Sequence, residues 1–209
     1  MPSAREILNG LVAIANSWQL LAVAWHVYFG ALIGGLFFGW RPSKRVAAAL
    51  VVLPVISVSV LAWIEGNFFN GTVFALLSGV LVLMLRKLNG GPIRMANKYS
   101  TAVGALLFSF AWVYPHFLDA ESVSAYLYAA PLGLVPCPTL SMALAATILF
   151  GGLDSRAWQL ALSVAGLFYG VFGSFYLGVT IDWILTGGAL FLLIFLVRQA
   201  VRESAGTAK

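Results

Sequence analysis

Pro136-Cys137-Pro138-Thr139 holds the chain's one cysteine between two prolines, inside an apolar stretch long enough to cross a membrane. Two prolines remove two backbone donors and clash with the preceding turn, and Pro131 adds a third, so a helix is expected to break here. A second helical half is expected to start at Pro138 or Thr139, offering its first N–H groups to an anion or a thiolate. Broken backbone at membrane depth is tolerated only where it is packed in protein or lines a polar cavity. Pro136, Cys137, Pro138 and Thr139 are therefore the candidate site. The competing reading is a proline kink around an inert, buried thiol.

His26, in Ala24-Trp25-His26-Val27-Tyr28, falls about nine residues into the first apolar run, near the midplane by helical rise. Cys137 is expected at matching depth, about 18 Å from the outer boundary. An imidazole there needs a partner, which is a neighbouring hydroxyl or carbonyl on one reading and a proton, metal or substrate on the other. Gly30, Gly34 and Gly35 let another helix come close, so His26 is expected to face protein. Nearer the span ends, Glu65, His116, Asp119, Glu121 and Asp182 form an acidic outer vestibule attractive to cations. Asp119 and Glu121 are expected to raise the pKa of His116, and the three together are a weak metal pattern. Glu65 reads first as interfacial and Asp182 first as a helix cap. Asn70-Gly71-Thr72 reads as a turn.

The elements that position these residues are transmembrane helices. Hydrophobic residues make up 61% of the 209 and charged residues 9%, with mean hydropathy +0.95, more apolar surface than one soluble core hides. Apolar runs at about 17–39, 46–64, 68–86, 100–117, 125–152, 157–179 and 182–199 each approach the roughly 20 residues of a helical crossing. The expected fold is thus all-α, a single polytopic transmembrane bundle of seven spans with the fifth broken near Pro136 to Pro138. The first run is read as a retained span and not a cleavable signal peptide. Residues 3–16 are either an interfacial helix or a long lead-in to it. Trp63, Trp112, Tyr114, Trp158 and Trp183 fall near span ends and read as interfacial belts.

Eleven of the twelve basic residues follow odd-numbered spans: Arg41, Lys44, Arg45, Arg86, Lys87, Arg94, Lys98, Arg156, Arg198, Arg202 and Lys209, with Arg5 the exception. The positive-inside rule then sets the N-terminus outside and the C-terminus in the cytoplasm. Such placement accounts for the net charge of +5 without nucleic acid. Among acidic residues only Asp154 and Glu203 fall on the cytoplasmic side. One cysteine excludes an internal disulfide.

Five motifs resemble a family of bacterial multi-span inner-membrane proteins of unknown function. They are Trp40-Arg41-Pro42-Ser43, Phe68-Phe69-Asn70, Tyr114-Pro115, Pro131-Leu132-Gly133 with Pro136-Cys137-Pro138-Thr139, and Leu177-Gly178-Val179 with Asp182. Pro-Cys-Pro-Thr is the most specific of them. The family's second threonine and further hydroxyls are replaced here by Leu140 and Ser141. The resemblance implies a bacterial inner-membrane location and no activity.

Two functions are expected from the residues. One is a channel or carrier for a small solute or cation, with His26 and Cys137 forming a midplane site for a proton or a soft ion such as copper(I) or zinc, Met142 adding a thioether. The alternative is a non-catalytic partner subunit or assembly factor of a membrane complex. A Cys137–His26 nucleophilic pair is a third, weaker reading. No span carries a lysine for retinal, and the depths of His26 and His116 disagree for haem. The sequence names no cofactor or metal; its partners are the bilayer and either another membrane protein or a second copy.

Overall fold

Capping residues set most helix boundaries. The computed structural model describes residues 3–207, and the backbone alone from 199 onward; Lys209 and the side chains of Arg202 and Glu203 lie outside the described residues. Ser3 opens α1 (Ala4–Ser17) with a reciprocal Ser3–Glu6 capping box. α1 buries Ile7, Leu11, Ile14 and Ala15 along one face and stops at Trp18. It is an amphipathic helix set off from the next one at Trp18. α2 (Gln19–Phe37) follows directly. Ser43 caps α3 (Lys44–Ile64), Asn67 caps α4 (Phe68–Leu85) and Asn97 caps α5 (Lys98–Val113). Asn70 lies buried in the first turn of α4, so Asn70-Gly71-Thr72 is helix and not the turn expected.

α6 is a single turn (Tyr126–Ala129), followed by non-helical backbone and then α7 (Pro136–Leu149). α8 (Arg156–Val171) runs into a π-type turn at Phe172–Tyr176, and a 3₁₀ turn at Thr180–Asp182 leads into α9 (Trp183–Thr207). Among the described residues the chain forms no strand, only an isolated bridge between Ser43 and Pro92.

Five of these helices are long and apolar enough to cross a membrane: α2, α3, α4, α8 with its π turn, and the Thr180–Arg198 stretch of α9. The other two expected spans form shorter helices, α5 of 16 residues and α7 of 14. At 1.5 Å per residue α7 is about 21 Å long, against a hydrocarbon core of roughly 30 Å. Every residue from Ala129 to Phe150 is buried, so α7 is the central element, walled by α3, α5, α8 and α9.

The loops carrying the basic residues meet at one end. Lys44 N–H donates to Gly91, Arg45 Nε to Leu88 and Ala96 N–H to Leu149, and Lys44 pairs with Asp154. The expected belt holds only in part. Trp63 and Trp183 are exposed, but Tyr114 and Trp158 are fully buried, the indole N–H of Trp158 donating to Thr147 Oγ1.

Candidate functional site

Pro136 opens α7 as its first residue and Pro138 falls in the same turn, where backbone N–H groups have no intrahelical partner to lose. The prolines therefore start a helix, two residues earlier than expected. The chain between α6 and α7 turns instead at Gly133, whose φ is +75° and whose missing side chain makes room for the Trp25 indole.

The N–H groups of that irregular stretch, from Leu132 to Val135, all find acceptors. Leu132 N–H donates to Ala130, and both Leu134 and Val135 donate to Pro131. Gly133 N–H donates to Thr139 Oγ1 at 3.0 Å, and the same hydroxyl donates to the Val135 carbonyl at 2.7 Å. Thr139 thus ties the break together, the accounting that apolar surroundings demand.

Cys137, buried in the first turn of α7, lies beside the Asp182 carboxylate and the Tyr114 hydroxyl. Tyr114 ends α5 and donates to Asp182 Oδ1 at 2.7 Å. Asp182 Oδ2 is buried without a well-formed hydrogen bond, the Cys137 thiol being the other donor beside the carboxylate, and the whole residue is 1% exposed. Room for the carboxylate comes from α8: a side chain on Gly173, inside the π turn, would collide with Oδ2. Such widened turns recur at functional sites. Asp182 is neither an exposed vestibule residue nor the cap of α9. Its side chain points inward, to the start of α7, where the helix dipole favours negative charge.

A second pair adjoins. Tyr169 on α8, also an electrostatic neighbour of Cys137, donates to Asn70 Oδ1 at 3.0 Å, leaving Asn70 Nδ2 unpartnered. Ser141, one turn beyond Cys137 on the same helical face, is buried with its hydroxyl unpartnered. Five elements, α4, the end of α5, α7, α8 and the turn before α9, thus bring a thiol, a carboxylate, two phenols, an amide and a hydroxyl together. Tyr114, Tyr169 and Asn70 escaped the sequence reading, although Tyr114-Pro115 marks a helix end and Phe69-Asn70 stands among the quoted motifs.

The other expected site residues go elsewhere. His26 Nδ1 lies 2.8 Å from the Ala22 carbonyl and Nε2 2.9 Å from the Trp112 carbonyl. The helical donor for Trp112 would be the N–H of His116, but that group donates to Tyr114, so the Nε2–H tautomer of His26 would cap an orphaned carbonyl at the end of α5. Cys137 and His26 therefore serve different partners. Glu65 accepts from the Trp18 indole at 2.9 Å and joins the start of α2 to the end of α3. Asp119 and Glu121 are exposed, and Asp119 N–H donates to Asn16.

Half-buried His116 packs edge-on against Phe117, and burial lowers its pKa, opposite to the rise expected from the two carboxylates. Among the described residues no three of His, Cys, Asp and Glu converge, so His116, Asp119 and Glu121 do not assemble a metal site. The chain matches no family model, no curated protein and no solved structure in these comparisons.

Proposed function

We propose that this protein is a small membrane carrier or channel that takes a proton or small cation at Asp182, Cys137 and Tyr114. In this reading it has seven spans, the N-terminus outside, the C-terminus in the cytoplasm, and the site beside the break of the fifth span. A bacterial inner-membrane location and membership of the family with the Pro-Cys-Pro-Thr element rest on the five motifs alone.

One observation carries the function: the Asp182 carboxylate is buried, Oδ1 held by Tyr114 and Oδ2 short of a well-formed hydrogen bond, with only the Cys137 thiol as a further donor beside it. An ionised carboxylate half-paired inside an apolar bundle is costly enough to demand a proton or a cation. The Cys137 thiol and the Tyr114 hydroxyl are the polar side chains beside that carboxylate. His26 is outside this set, its nitrogens engaged with backbone carbonyls.

The test is ion flux into proteoliposomes loaded with a proton-, sodium- or potassium-sensitive dye, each under the matching imposed gradient. The wild-type protein should dissipate at least one gradient, and Asp182→Asn should slow that flux by about tenfold or more, as expected for loss of a charge-bearing group in the pathway. Wild-type liposomes no leakier than empty ones, or unchanged flux in Asp182→Asn, would remove the proposal. The partner-subunit reading ranks second. It draws support from the largely exposed apolar faces of α2 and α4, which a bilayer covers equally well.

A further inference from the structure

α2 and α5 touch at one end and part at the other. His26 and Trp112 pin them, with ring centroids 4.7 Å apart, and Trp112 also lies 3.5 Å from where a side chain on Gly30 would stand. From that contact a cleft opens between the helices. It holds about 370 Å³ beside Gly30 and Trp112 and about 540 Å³ farther on, between Phe37, Arg41, Met95 and Thr101, with Ile33, Phe108 and Ser109 shared by both parts. Thr101, Ala105, Phe108 and Ser109 lie on one face of α5, and the small exposed residues Ala105 and Ser109 leave the cleft wide.

The wedge thus closes at Trp112 and opens at the basic end of the bundle. Arg41 lines its mouth, and Arg94 and Lys98 are exposed next to its lining residues Met95 and Thr101. One guanidinium nitrogen of Arg41 donates to the Leu36 and Trp40 carbonyls at the end of α2. That fixes the side chain at the mouth and leaves other donors of its fork for a phosphate. Thr101 to Trp112 spans about 16 Å of helical rise, close to half of a roughly 30 Å hydrocarbon core.

We infer that the α2–α5 cleft is a binding site for an anionic phospholipid, one acyl chain filling the apolar wedge and the phosphate resting on Arg41. The depth matches one leaflet, the lining matches a hydrocarbon chain, and the only charged residue of the lining stands at the end where a headgroup lies. Anionic lipids gain from basic residues at that level through charge and hydrogen bonding together. The inference is independent of the proposed ion flux.

The experiment is native mass spectrometry of the full chain released from mild detergent containing equal phosphatidylglycerol and phosphatidylcholine of identical acyl composition. Phosphatidylglycerol should be retained about fivefold over phosphatidylcholine, the scale of one arginine beside an anionic surface. Arg41→Gln should abolish that preference and Arg41→Lys should keep it. Ala105→Leu, which narrows the wedge at an exposed position, should reduce retention of both lipids. Equal retention of the two lipids by the wild type, or a preference that survives Arg41→Gln, would overturn the site. So would efficient disulfide crosslinking between copies carrying Ser109→Cys, which would place a second chain in the cleft.

Discussion

Tyr114 and Asp182 lie 68 residues apart in the chain and 2.7 Å apart in the fold. The hydroxyl holds one carboxylate oxygen, so Tyr114→Phe leaves a buried carboxylate with only the Cys137 thiol beside it. That should cost about 1–3 kcal/mol, measured as a shift in the unfolding midpoint in mixed detergent. At His116 the charge balance runs the other way. Its folded pKa lies below the ordinary 6.5, because burial disfavours the imidazolium. The unfolded chain therefore binds the proton more readily, so this contribution to stability is complete above pH about 6.5 and is lost as pH falls below it. A melting series from pH 8 to 5 should show the decline, and His116→Gln should flatten it; a parallel decline in the variant would remove His116 as the cause.

At the scale of elements, the break before α7 depends on Gly133 and Thr139 more than on the prolines that announce it. Gly133→Ala forces a side chain into a positive-φ turn already filled by Trp25, and should destabilise by about 1–3 kcal/mol from backbone strain alone. Thr139→Val strands the Gly133 N–H and should cost about 1–3 kcal/mol, while Thr139→Ser keeps the bridging hydroxyl and most of the stability. Pro136 opens α7 where no donor is missed, so Pro136→Ala should stay within about 1 kcal/mol of wild type. Equilibrium unfolding of these four variants ranks them. A Pro136→Ala loss as large as that of Gly133→Ala would return the break to the prolines.

Across the whole molecule, α7 is sheathed on all sides and Cys137 is 5% exposed, so a maleimide should label the intact protein far more slowly than the detergent-unfolded chain. Rapid labelling from water would instead indicate an open path to the site. The connections at 38–43, 86–97 and 150–155 are joined by Ser43–Pro92, Lys44–Asp154 and Ala96–Leu149 contacts at or beside them, so they share one end of the bundle. The basic-residue bias predicts a cytoplasmic C-terminus, so a C-terminal green fluorescent protein fusion should fluoresce and an alkaline phosphatase fusion should be inactive.

The chain by itself determined the helical class and the apolar runs behind the five membrane-length helices, because hydrophobic length, proline and serine or asparagine caps act within a few residues. Cys137 and Thr139 were marked for the same local reason. Asp182 could be found by its charge but not by its direction, because a carboxylate after a span faces water or protein according to what packs over it. Only the fold put Gly173 beneath it, Tyr114 against it and Cys137 next to it, and only the fold turned His26 to the open carbonyl of Trp112. Those pairings join groups tens of residues apart, where periodicity and spacing carry no information and side-chain packing alone decides which polar atoms meet.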